Sequence, residues 1–276
     1  MKTLVLLHGW GASSRVWQRQ TNFFGKGPPA KTGPGLVKNS PGQPLAWDGL
    51  RVLTPTIPYW DPGWLTDYLQ RLPLEDGVLV GWSLGGMLLV ETLVHLPAAP
   101  AAVVLVGVAA VFCRRQDHPW GPKPATVRAM RQALKNDPHQ VLREFVDNCL
   151  APGEENLREE TWGFFNPTPA QENLRAGLDY LLRRDLRPHL AQVPGRTVIV
   201  QGDEDRIVPL AQARFLHEQI PGSRLNLLPG AGHLPFLTQA AAFNEMLEGI
   251  LRGGPGERSS PALPSSSPPH PLYGAG

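Results

Sequence analysis

The sequence predicts an α/β fold: a mostly parallel sheet flanked by helices, with a helical cap inserted into it. Three observations lead there. Short apolar runs of strand length alternate with helical stretches. Several of the runs are apolar at consecutive positions, as expected of strands covered on both faces. The alternation stops at about Val111 and resumes only after Leu190.

Taken in order, Thr3 to Leu7 reads as a buried strand. Gly9, Gly11 and Ser13-Ser14 then make a turn and a helix cap, and Val16, Trp17, Phe23 and Phe24 give the helix an apolar face. From Gly25 to Gly49 the glycines and prolines sustain neither helix nor ladder, so 25–49 is read as an irregular surface insertion without a catalytic role. Arg51 to Thr54 is a strand, Trp64 to Leu72 a helix, and Val78 to Val80 a strand ending at Gly81. Leu84 to Leu96 is apolar nearly all round and is expected to be a buried helix, with His95 as a packing residue. Ala102 to Val108 is the next strand.

The segment 111–190 is helical and Arg-rich, with runs at Ala125–Leu134, Gln140–Cys149 and Gln171–Arg184. It is the expected cap, set between core segments 1–110 and 191–252. Strand Thr197–Gln201, helix Leu210–Ile220, strand Arg224–Leu228 and helix Pro235–Leu251 complete the core. The Gly-, Pro- and Ser-rich tail, 253–276, is expected to be disordered.

With 276 residues, 42% of them hydrophobic, the chain can bury a full core. A formal charge of +2 gives no general argument for nucleic acid or an anionic membrane. Cys113 and Cys149 form no disulfide framework or metal motif, which suits a reducing compartment. The N-terminal apolar run is too short for a signal peptide, and no run approaches the ~20 apolar residues of a membrane span. The expectation is a soluble, cytoplasmic monomer.

Chemistry concentrates in four loops. Gly81-Trp82-Ser83-Leu84-Gly85-Gly86 follows a strand and opens a helix, the setting of a G-x-S-x-G nucleophile elbow with Ser83 at its apex. His8-Gly9-Trp10-Gly11 follows the first strand. An oxyanion hole needs two backbone N–H groups aimed at one point, and Trp10 and Leu84 are the candidates. Gly202-Asp203-Glu204-Asp205-Arg206-Ile207-Val208-Pro209 offers three acids; Asp205 is the choice, Asp203 the fallback, and Glu204 is expected to face water. Gly230-Ala231-Gly232-His233 places a histidine in a strand-to-helix loop, where a positioned base belongs. His118, His139, His189 and His217 are read as solvated, and His8 as a support for its loop.

The order Ser83, Asp205, His233, each after a strand end, brings the three to one sheet edge. It implies acyl transfer: His233 deprotonates Ser83, which attacks an ester carbonyl, and water hydrolyses the acyl-enzyme. The route needs no metal or organic cofactor.

The motifs resemble the α/β-hydrolase superfamily over the whole ordered chain. Leu6-Leu7-His8-Gly9-Trp10-Gly11 with Val16-Trp17, the Ser83 elbow, and Arg175-Ala176-Gly177-Leu178-Asp179-Tyr180-Leu181 with Asp185-Leu186-Arg187 are most similar to the biotin-pathway esterases that cleave the methyl ester of pimeloyl-acyl carrier protein. The resemblance implies that Trp10, Ser83, Leu84, His233 and the cap stretch Phe145-Val146-Asp147-Asn148-Cys149 contact substrate. It also implies an acyl carrier protein as partner, with Arg128, Arg131, Arg143 and Arg158 as candidate contacts. Pro58-Tyr59-Trp60-Asp61-Pro62 departs from the family's Pro-Gly-x-Gly-x-Ser segment, and the insertion at Gly25 is foreign to the pattern. A small-ester carboxylesterase is the alternative within the fold, and a catalytically dead binding protein the alternative outside enzymes.

Overall fold

The computed structural model describes residues 2–25, 49–165 and 168–253; the interior of the expected insertion and almost all of the expected tail lie outside them. Among the described residues six strands form one parallel sheet: β1 (Lys2–Leu7), β2 (Leu50–Leu53), β3 (Val78–Trp82), β4 (Ala102–Val106), β5 (Thr197–Gly202) and β6 (Arg224–Leu228). Their spatial order is β2-β1-β3-β4-β5-β6. β3, β4 and β5 are buried along their whole length, as their unbroken apolar runs require. The chain order reverses at β1, so the loops leaving β1 and β3 part and open a crevice at their carboxyl ends. Leu7 pairs with Gly81, and Trp82 with Val106, so those ends lie level.

The flanking helices are α1 (Gln18–Gly25), α2 (Pro62–Leu69) and α3 (Leu84–Leu93), then α8 (Leu210–Gln219), α9 (Pro235–Thr238) and α10 (Ala240–Leu251). Asp61 caps α2 through both carboxylate oxygens, with Pro62 in the first turn. α3 is buried throughout, but it ends at Leu93. His95 therefore lies beyond it and is exposed, not packed as expected. The helix expected over Pro235–Leu251 is broken at Gln239, which leaves helical geometry and donates from Nε2 to Pro229 O at 2.8 Å.

Between β4 and β5 the described chain adds no strand to the sheet. It forms α4 (Pro124–Ala133), α5 (Pro138–Cys149), α6 (Arg158–Phe165) and α7 (Gln171–Arg183). α6 was not anticipated; its first turn is acidic, and Trp162, Phe164 and Phe165 are buried. Leu186 N–H donates to Ala110 O at 2.9 Å, closing the base of this helical segment. His118, expected in solvent, is buried there: Nε2 is 2.9 Å from Gln212 Oε1, and the ring meets Trp120 and Phe215 edge-on. Cys113 and Cys149 are free, buried thiols. No helix of the described residues is long and apolar enough to cross a membrane.

Candidate active site

Ser83 turns the chain from β3 into α3. Its φ of 53° makes it the one non-glycine residue in the left-handed region among those described. Such a conformation costs ~1–3 kcal/mol and persists only where its surroundings enforce it. The neighbouring glycines show how. A Cβ on Gly81 would stand 2.5 Å from Gly86 Cα, and one on Gly85 would run into the carbonyl of His8. The tight approach turns Ser83 out at the strand end, where it lines a cavity.

His233 is fully buried and held by its backbone from two sides. Its N–H donates to Cys149 O at 2.8 Å, and its carbonyl accepts from Trp82 Nε1 at 2.9 Å. The residue before Ser83 thus grips the histidine directly. The ring's Nδ1 is 2.7 Å from Asp205 Oδ2. Asp205 Oδ2 also accepts from Gln201 Nε2 at 2.9 Å; Oδ1 takes the N–H groups of Ile207 at 2.8 Å and Val208 at 2.9 Å. Surrounded by donors, Asp205 is placed to accept the Nδ1 hydrogen; in the neutral imidazole the lone pair is then on Nε2. Nε2 is buried, with no hydrogen-bond partner among the described residues. Of the other acids in the loop, Asp203 accepts from Gly230 N–H at 2.7 Å and is exposed, as is Glu204.

Sequence reasoning missed two supports of this pair. β4 ends at Val106 and not at Val108, because Gly107 has φ +54°. Gln201, immediately before the acidic loop, braces Asp205 and also donates to Val208 O at 2.9 Å. The glycine after an apolar run and the glutamine at a strand end were the available signals.

Trp10 is buried on the β1 loop. Its indole N–H donates to Leu174 O at 2.8 Å, and its ring meets Phe145 edge-on at 5.0 Å. The backbone N–H groups of Trp10 and Leu84, at the ends of β1 and β3, are taken by no other group of the described residues. His8 braces the same loop: Ile57 N–H donates to Nε2 at 2.9 Å, leaving Nδ1 to donate to Gly9 O. Burial lowers its pKa to about 4, against a smaller opposing effect of the Gly9 carbonyl, so it stays neutral near pH 7.

The cavity, about 680 Å³, is walled mainly by apolar side chains, among them Trp10, Val127, Met130, Phe145 and Leu178. Of the stretch Phe145–Cys149, Phe145 and Asn148 reach its wall. Val146 and Cys149 are buried away from it, and Asp147 pairs outward with Arg158 at 2.9 Å, because successive helical residues face different directions. The four arginines also separate. Arg131 pairs with Asp179 at 2.7 Å and Arg143 with Glu159 at 3.1 Å, whereas Arg128 is exposed with no ion pair among the described residues. Among those residues, no cluster of His, Cys, Asp or Glu is placed to hold a metal ion.

Residues 4–246 match the alpha/beta hydrolase family, and the chain belongs to it. Within that family the chain is similar to two proteins named pimeloyl-[acyl-carrier protein] methyl ester esterase. The one from Aromatoleum aromaticum is 31% identical over 260 residues, covering 91% of this chain and 98% of the relative. The one from Nitrosomonas europaea is 31% identical over 245 residues, covering 85% and 90%. Among solved structures, an esterase from Exiguobacterium antarcticum superposes with a TM-score of 0.74 at 23% identity, covering 91% of this chain and 92% of that one, a likeness of fold.

Proposed function

We propose that this chain is a serine esterase that hydrolyses the methyl ester of pimeloyl-acyl carrier protein in biotin biosynthesis. Ser83 is the nucleophile, His233 the general base and Asp205 the residue that orients it. The observation that carries the chemistry is the buried His233–Asp205 pair, which engages Nδ1 and keeps Nε2 without a partner among the described residues, at the same sheet edge as the strained Ser83. Nε2 accepts the Ser83 proton as Oγ attacks the ester carbon. The N–H groups of Trp10 and Leu84 receive the oxyanion. Methanol leaves with the proton returned from His233, and water then releases the acid by the same route in reverse.

The substrate assignment rests on the named relatives and on the cavity. An apolar sleeve of about 680 Å³ accepts a polymethylene chain, and the methyl ester must end at Ser83. The helical segment 111–190 serves as the cap that roofs this sleeve. Of the arginines considered for the carrier protein, Arg128 is available as it stands; Arg131, Arg143 and Arg158 must first leave an acid.

The test is methanol release from pimeloyl-acyl carrier protein methyl ester, with Ser83→Ala alongside and free dimethyl pimelate for comparison. Ser83-dependent cleavage that strongly prefers the carrier-bound ester supports the proposal. Cleavage of the free ester alone reduces the protein to a general carboxylesterase. No reaction of Ser83 with a fluorophosphonate would leave a binding protein.

A further inference from the structure

The histidine loop is fastened to the helical segment and not only to the sheet. His233 N–H donates to the carbonyl of Cys149, the last residue of α5. One residue earlier, Gly232 N–H donates to Glu154 Oε2 at 3.2 Å. The same oxygen accepts Ala151 N–H at 2.8 Å, and Glu154 is buried. A single carboxylate therefore ties the turn after α5 to the loop that carries His233. The fit leaves no slack: a Cβ on Gly232 would stand 2.7 Å from Ala151 N and 2.9 Å from Glu154 Oε2. α5 also lines the cavity through Phe145 and Asn148, and the Phe145 and His233 rings lie 6.5 Å apart.

We infer that Glu154 is a positioning residue for the reaction: by holding the 151–154 turn against Gly232, it sets the backbone of His233, so the base is in register only while the helical segment is seated. This rests on His233 acting as general base. Asp205 fixes the direction of the imidazole but does not hold the histidine backbone. That backbone is held by Trp82 Nε1 on the sheet side and by Cys149 O on the helical side. Without Glu154, the helical side of this grip loses the link next to Cys149. Displacement of a general base by ~1 Å lowers turnover about 100-fold without touching the substrate's apolar contacts.

The experiment compares Glu154→Ala and Glu154→Gln with the wild type on a methyl ester substrate. Gln keeps an oxygen that accepts both N–H groups, whereas Ala removes it. In E154A, kcat is expected to fall by about 10- to 100-fold with KM within about twofold, and E154Q to recover most of the loss. Amide hydrogen exchange should accelerate at Gly232 and His233 in E154A but not in β3 or β4. If E154A does not fold, E154D withdraws the carboxylate by one carbon, and the same pattern is expected at smaller amplitude. Unchanged kcat in E154A, or E154Q as impaired as E154A, overturns the inference. So does a rise in KM that accounts for the whole effect. His233→Ala and Ser83→Ala are run in parallel. If they keep their activity, the proposed function itself fails; if they are inactive while E154A is not, only the role of Glu154 fails.

Discussion

Gly107 and His233 are fitted to each other across the strand ends. A Cβ on Gly107 would stand 2.9 Å from Nδ1 of the imidazole and 3.4 Å from Asp205 Oδ2. Gly107 also turns the chain out of β4 with φ +54°, which only glycine does freely. The His233–Asp205 bond thus depends on a hydrogen at the neighbouring strand's end. Gly107→Ala should lose ~1–2 kcal/mol of stability from the left-handed backbone. It should lower kcat by about 100-fold through the displaced ring. Steady-state kinetics beside a urea titration separates the two; a fully active variant would show that the imidazole has room to spare.

A second close approach involves α7. A Cβ on Gly177 of α7 would meet Trp10 Cδ1 at 2.5 Å, Trp60 Nε1 at 2.8 Å and Leu84 Cδ2 at 3.1 Å. On helix propensity alone, Gly177→Ala would stabilise by ~1 kcal/mol. Here it should destabilise instead, and because it presses on both residues proposed to bind the oxyanion, kcat should fall by about 10-fold or more. Thermal unfolding and kcat for the one variant decide the matter. A more stable, active G177A would refute the argument.

His8 makes folding sensitive to acid. Its folded pKa of about 4 lies below the ordinary 6.5, so between these values the unfolded chain binds a proton that the folded chain refuses. The native state therefore loses stability as pH falls from 6.5 toward 4, by up to ~3 kcal/mol from this residue. Above pH 6.5 the contribution is constant. His8→Gln, which keeps an acceptor for Ile57 N–H, should flatten the dependence of the urea midpoint on pH in that window. An identical slope in both proteins would count against it.

Helix α3, which carries Ser83 at its start, is joined to α7 by a buried pair. Tyr180 OH donates to Glu91 Oε2 at 2.6 Å, with Arg184 3.4 Å from the other oxygen. Burial and then the Glu91 carboxylate hold the phenol above its ordinary pKa, so it remains a donor at working pH. Tyr180→Phe leaves a buried carboxylate oxygen without that donor and should cost ~1–3 kcal/mol in denaturant unfolding. Tyr180→Phe with Glu91→Gln should recover part of the loss; no recovery would mean that the loss does not come from the unpaired Glu91 carboxylate.

Much of this was legible along the chain. β6 over Arg224–Leu228 matches the run read from the sequence, because Leu225 and Leu227 alternate with the polar Arg224 and Asn226 in a short segment bounded by Gly222 and Pro229. The Gly81–Gly86 motif marked Ser83, since its glycines state a backbone need at fixed spacing. α6 escaped because its acidic first turn masks the buried aromatics that follow. His118 and His95 were exchanged, one expected in solvent and found buried, the other the reverse. A histidine's burial depends on what folds against it, here Gln212 and Phe215 from α8 nearly a hundred residues away.

The sequence by itself determined the alternation of strands and helices, the turn chemistry at each strand end and therefore the loops in which Ser83, Asp205 and His233 lie, because these follow from local periodicity and from what glycine and proline permit. Tertiary structure alone decided that Gly107 and Gly177 stand where a methyl group would not fit, and that Glu154 reaches the histidine loop. Those are distances between segments far apart in the chain, set by how the helical segment settles on the sheet, and no local pattern of residues encodes them.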